Sequence, residues 1–122
     1  MASTTSANDY LPLLARDFHI LLALTDGQCH GYGLVKAIEQ ASEGTLRLDP
    51  ANLYRALHKL TVSGLVKDAE RRPAADAANE RRRYYCITPL GCDVVAAEAA
   101  RMRHLADVAA TKRLIAGTSS NR

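Results

Sequence analysis

A mostly helical α+β fold is what this 122-residue sequence predicts, on three observations. Apolar residues recur at helical spacing in three separate segments before residue 64. Two alternating stretches rich in β-branched and aromatic residues then flank a small polar loop, "AADAANE". A single long helical pattern follows, from Thr88-Pro89 to about residue 115. The length suits one domain with a modest core of its own.

The elements follow in chain order. "LPLLARDFHILLAL" (residues 11–24) sets Leu14, Phe18, Leu21 and Leu22 on one helical face, and Asp26, Gly27 and Gly31 end it. "YGLVKAIEQA" places Leu34, Val35 and Ile38 together and predicts a second, shorter helix that stops near Ser42–Gly44. "TLRLD" (residues 45–49) alternates and predicts a short strand. Asp49-Pro50 is a strong helix start, an acceptor at the N-cap followed by proline in the first turn. The helix it opens carries Leu53, Leu57 and Leu60 on one stripe, with Asn52, Arg55, His58, Lys59 and Val62 on the opposite arc, and Gly64 closes it. "LVKDAERRP" and "RRRYYCIT" predict a β-hairpin, and Thr88-Pro89 starts the last helix. Three helices, a hairpin and a long final helix are the layout of a winged helix-turn-helix. The expected organisation is a flexible arm over 1–10, a DNA-binding domain over 11–88, a dimerisation helix over 89–116 and a flexible tail over 117–122.

Composition narrows the function. No apolar run approaches the roughly 20 residues of a membrane span, and the small polar start is unlike a signal peptide, so a cytoplasmic location is expected. Three cysteines, Cys29, Cys86 and Cys92, are an odd number without close spacing, which points to reduced thiols rather than a disulfide framework. Net charge is +3 but uneven: residues 1–49 carry three basic and six acidic side chains, residues 50–92 eight basic and four acidic. Positive charge gathered mid-chain suits a polyanionic partner.

Within that basic region, the helix from Pro50 is the candidate recognition helix, since the major groove admits one α-helix whose apolar stripe stays in the core. Asn52 is placed to read adenine, Arg55 to read guanine or hold phosphate, Lys59 to hold phosphate, and Tyr54 and His58 to reach DNA beside them. The stretch "ERRRYYCITPLG" (residues 80–91) then turns from cationic to apolar along one strand. Alternation puts Arg83, Tyr85 and Ile87 on one face and Arg82, Tyr84 and Cys86 on the other. The aromatic end anchors beneath the helices. Arg81, Arg82 and Arg83, with Arg71 and Arg72 across the loop, form a wing that grips phosphate or the minor groove. A bland alternative is a solubilising edge that blocks strand pairing.

The long last helix gathers Leu90, Val94, Val95, Met102, Leu105, Val108 and Ala109 in one broad arc, interrupted by Glu98 and Arg101. A domain this small cannot cover such a stripe along its whole length, so Val94, Val95, Met102, Leu105, Val108 and Ala109 are expected to pack on a second copy. "GYG" (residues 31–33) lacks the lysine of a phosphate loop and reads as a tight helix start, with Tyr32 packed or near a phosphate. Cys29-His30, Cys86, Cys92 and His104 have no metal-ligand spacing, and no nucleophile–base pair or carboxylate pair supports an enzyme. No cofactor is implied.

Together, "HGYGLVKAIEQ", "PANLYRALHKLTVSGLV" and "ERRRYYCITPLG" resemble the PadR family of bacterial transcriptional regulators, over about residues 14–115 and in its branch with a short C-terminal helix. Many members carry Gly-Thr before the Leu-Tyr of the third helix, where this chain has Ala51-Asn52. The resemblance implies a homodimer on a palindromic operator, usually a repressor, released by a small molecule or another signal. A redox- or metal-responsive regulator using Cys29, Cys86 and Cys92 is the alternative trigger on the same DNA-binding body.

Overall fold

A computed structural model describes residues 6–69 and 83–117. Four helices, α1 (Ala15–Leu24), α2 (Gly31–Ala41), α3 (Pro50–Val62) and α4 (Pro89–Thr111), surround an antiparallel sheet of β1 (Cys29–His30), β2 (Val66–Asp68) and β3 (Tyr84–Ile87). The strand order is β1-β3-β2, which makes β3 the central strand. Its register sets Cys29 opposite Tyr85 on one side and Asp68 opposite Tyr85 on the other. No helix among the described residues is long and apolar enough to cross a membrane.

Helix starts follow local chemistry. Asp49 caps α3 by accepting from the Asn52 amide at 2.8 Å, with Pro50 in the first turn. Thr88 does the same for α4, accepting from Gly91 N at 3.0 Å, and its hydroxyl also donates to the Gly64 carbonyl at 2.7 Å. That bond ties the start of α4 to the end of α3, where Gly64 takes φ +84°, a left-handed turn that favours glycine. Gly91 is needed for a different reason: a methyl there would run into the Leu65 carbonyl oxygen. Leu21 and Leu24 of α1, Leu34 of α2, Leu53 and Leu57 of α3 and Val94 of α4 meet in one core, each with at most 1% of its surface exposed.

Several expectations change on contact with the structure. Within the arm expected over 1–10, residues 7–10 form a 3-10 turn, capped reciprocally by Ser6 and Asp9. Tyr10 packs against the core and its hydroxyl donates to the Ser63 carbonyl at 3.4 Å. Helix α1 begins at Ala15 rather than Leu11: Leu11 and Leu14 have extended backbone, and Leu11 and Leu13 pack on the core as a strap. The strand expected at 45–49 is a loop. There the Ser42 hydroxyl accepts from Leu46 N at 3.0 Å and donates to Leu46 O at 3.2 Å, satisfying locally what a ladder would otherwise supply. The alternation instead turns Leu46 and Leu48 onto the core. Strand β1 was not expected, and it makes the hairpin a three-stranded sheet.

Val94 and Val95 are 0% and 5% exposed and belong to the chain's own core, so they cannot face a second copy. Glu98, expected to interrupt an outward stripe, also turns inward and has no exposed surface. Its carboxylate accepts from Leu13 N of the strap at 2.9 Å and from two guanidinium nitrogens of Arg101, which caps it close to the molecular boundary. Those Arg101 bonds, helped by the Leu13 amide and opposed by burial, hold the carboxyl below its ordinary range. Beyond Arg101, residues 102–107 are exposed on every side of the helix. The distal half of α4 leaves the domain.

Candidate nucleic-acid interface

The outward arc of α3 is a linked set of polar groups. Asn52 donates from Nδ2 to Asp49 Oδ2 at 3.0 Å and accepts at Oδ1 from Arg55 Nη1 at 3.2 Å. Asp49 thus serves twice, as helix cap and as the anchor of the Asn52 amide. Arg55 remains exposed and keeps most of its five N–H donors. Lys59 leans inward instead, its ammonium 3.7 Å from Asp17 Oδ2 on α1. Asp17 is only 3% exposed and is also met by Arg16 at 3.3 Å, so Lys59 compensates a buried charge as well as facing solvent.

Tyr54 is about half exposed, and its phenol lies across the start of α2, where any side chain at Gly31 would collide with its hydroxyl. The first glycine of "GYG" therefore serves helix packing. Tyr32 is exposed and stacks parallel to His30, with centroids 6.4 Å apart, and Lys36 Nζ stands 5.3 Å from its ring centre. His30 caps α2 by accepting from Gly33 N at 3.1 Å. It also meets Tyr84 edge-on at 5.2 Å, covering the second face of β3. A histidine directly before the "GYG" helix start was the available signal for that capping role.

At the base of the wing, Tyr85 is buried in the core and Ile87 packs beside it, as the alternation of β3 requires. Arg83 extends the same face outward, its guanidinium 5.7 Å from the Tyr85 ring centre. Its Nη2 donates to both carboxylate oxygens of Asp68, at 3.0 and 2.9 Å, a partner that counting arginines did not reveal. Burial pushes the Tyr85 phenol above its ordinary pKa, with Arg83 pulling the other way. Arg71, Arg72, Arg81 and Arg82 lie outside the described residues. Arg83 faces α3 across a recess of about 150 Å³ lined by Tyr54, His58, Thr61, Arg83 and Tyr85.

On α4, Met102 and Leu105 are 37% and 49% exposed, and Val108 and Ala109 half-buried. Leu114 and Ile115 follow at 72% and 50%. All three cysteines are free. Burial raises the Cys29 thiol pKa, the opposite of what a reactive thiolate needs. Among the described residues no three His, Cys, Asp or Glu side chains gather as a metal site would require.

Known proteins share this fold. The model of the transcriptional regulator PadR-like family matches residues 20–97, from α1 into α4. A 37.1 kDa protein of transposon Tn4556 from Streptomyces fradiae is 40% identical over 86 residues, which are 70% of this chain and 22% of that protein. The chain therefore spans about a fifth of that relative's length. A PadR family transcription regulator from hypervirulent Clostridium difficile superposes with a TM-score of 0.63 at 25% identity, covering 79% of this chain and 95% of that one. A transcriptional regulator from Clostridium thermocellum gives 0.63 at 24%, covering 88% and 94%. Bordetella bronchiseptica BpsR, whose DNA binding is regulated by 6-hydroxynicotinic acid, gives 0.60 at 22%, covering 80% and 65%.

Proposed function

This chain belongs to the PadR-like family of transcriptional regulators, and we propose that it acts as a homodimeric repressor. Each protomer binds half of a palindromic operator, and a small-molecule effector releases it. One observation carries the DNA-facing part of this reading: the outer stripe of α3 and the base of the wing share a single recess. A helix seated in the major groove would thus bring Arg83 and the rest of the wing against the adjoining backbone. Within that division, Asn52 and Arg55 read bases. Tyr54, His58, Lys59 and the wing arginines Arg71, Arg72, Arg81, Arg82 and Arg83 hold phosphate, and Tyr32 approaches the backbone from the start of α2.

Met102, Leu105, Val108 and Ala109 form the dimer contact, setting the two recognition helices about 34 Å apart, one turn of B-DNA. The effector belongs between protomers near α1 and α4. BpsR, with its regulation by 6-hydroxynicotinic acid, supports a small organic molecule as effector. The protein works in the cytoplasm, where its DNA is. The raised Cys29 thiol pKa disfavours Cys29 as a redox trigger.

Titration of a labelled duplex at rising salt tests the electrostatic core of this reading. With roughly six to eight phosphates neutralised per dimer, the logarithm of affinity should fall against the logarithm of salt with a slope of about −5 to −7. A flat response would contradict it.

A further inference from the structure

We infer that the recess between α3 and the wing is the seat of one DNA backbone phosphate, and that Asp68 is a built-in competitor for the arginine that holds it. The inference rests on the DNA-binding reading above and deepens it. Arg83 spends a single nitrogen, Nη2, on Asp68. Its Nε and Nη1 make no hydrogen bond among the described residues, and the guanidinium lies over Tyr85 at the recess wall. Two further residues that carry donor groups, Tyr54 and His58, line the same space. Thr61 shapes the floor, its hydroxyl proton already given to the Leu57 carbonyl at 2.7 Å. Unspent guanidinium N–H donors beside a phenol and an imidazole are the chemistry that receives a phosphate monoanion.

Asp68 stands on the other side of that guanidinium. Both side chains of the pair are more than half exposed, so the pair itself contributes little to the fold. Its effect falls on binding instead. A carboxylate this close repels a seated phosphate and holds part of the arginine's hydrogen-bonding capacity in the free protein. DNA must win Arg83 from Asp68, which lowers affinity for every sequence alike and keeps the wing from clinging to nonspecific DNA.

The test uses full-length protein and a fluorescein-labelled, random-sequence duplex of about 24 base pairs, long enough for two half-sites one turn apart. Affinities are compared for wild type, Asp68→Asn, Arg83→Gln and the double variant. Asp68→Asn should bind roughly three- to tenfold tighter at about 0.15 M salt. Arg83→Gln should weaken binding, and by a larger factor in the Asp68→Asn background, where the arginine is fully available. If Asp68→Asn bound more weakly and Arg83→Gln then cost nothing further, Asp68 would be positioning Arg83 and the inference would be overturned. Unchanged affinity in both single variants would overturn it too. A wild type that binds no duplex at low salt would bring down the proposed function itself and this inference with it. A wild type that binds while Asp68→Asn gains nothing sinks the inference alone.

Discussion

Met102→Glu combined with Leu105→Glu should leave a folded monomer that binds its operator at least about a hundredfold more weakly. The physical case begins with where α4 is used up. Its first half closes the domain core through Val94 and Val95, and Glu98 holds the strap. Its second half has no domain to cover, because residues 102–107 are exposed all round. Substituting there removes no intramolecular packing of consequence, so helical content should stay unchanged. In a dimer, however, four carboxylates would enter one apolar contact, and charges buried without partners are strongly unfavourable. Loss of the second half-site then removes the gain of tethered binding, which reaches a factor of about 100 to 10,000. Sedimentation checks the mass and a labelled operator the affinity. A variant that stays dimeric with native affinity would place the interface elsewhere.

The second large effect falls on stability. Glu98→Ala should cost about 2–4 kcal/mol, or roughly 10 °C in thermal midpoint. The carboxylate has no solvent exposure, and the Leu13 amide depends on it, so its removal strands a donor and frees the strap from α4. Glu98→Gln keeps an acceptor for Leu13 while losing the charge that meets Arg101, and should cost less. Acid separates the two effects. Because the folded carboxyl lies below its ordinary value of 4.5, its contribution is fully present above that value. It is lost as pH falls through the lower folded pKa. Wild type should therefore lose part of its advantage over Glu98→Gln in strongly acidic buffer. An alanine variant that melts like wild type would mean the strap is held by Tyr10 and its apolar neighbours alone.

What was legible in the sequence was local. Asp49-Pro50 and Thr88-Pro89 announce helix starts through the groups they offer within one turn, and both starts are found at those residues. The alternation of β3 likewise put Tyr85 and Ile87 on the face that packs into the core, with Arg83 continuing that face beyond it. What stayed hidden depends on distant partners. Strand β1 is two residues of turn-like sequence that become a strand only because β3 has an unpaired edge. The 3-10 turn near the N-terminus is polar by composition, and Tyr10 ties it to the core and to the distant Ser63 carbonyl. The apolar arc of α4 was visible, but periodicity cannot separate the part facing its own core from the part facing outward, so Val94 and Val95 were placed with the wrong group. Asp68 escaped notice because its meaning lies in strand register. Only beside β3 does it meet Arg83.

The repressor reading predicts a specific DNA sequence, and selection of bound duplexes from a random pool at about 0.15 M salt tests that directly. The expected product is a palindrome whose half-sites lie one helical turn apart. Recovery of no common sequence, with binding that dissolves as salt rises, would leave a basic domain that grips DNA without reading it and would contradict the regulator proposed here.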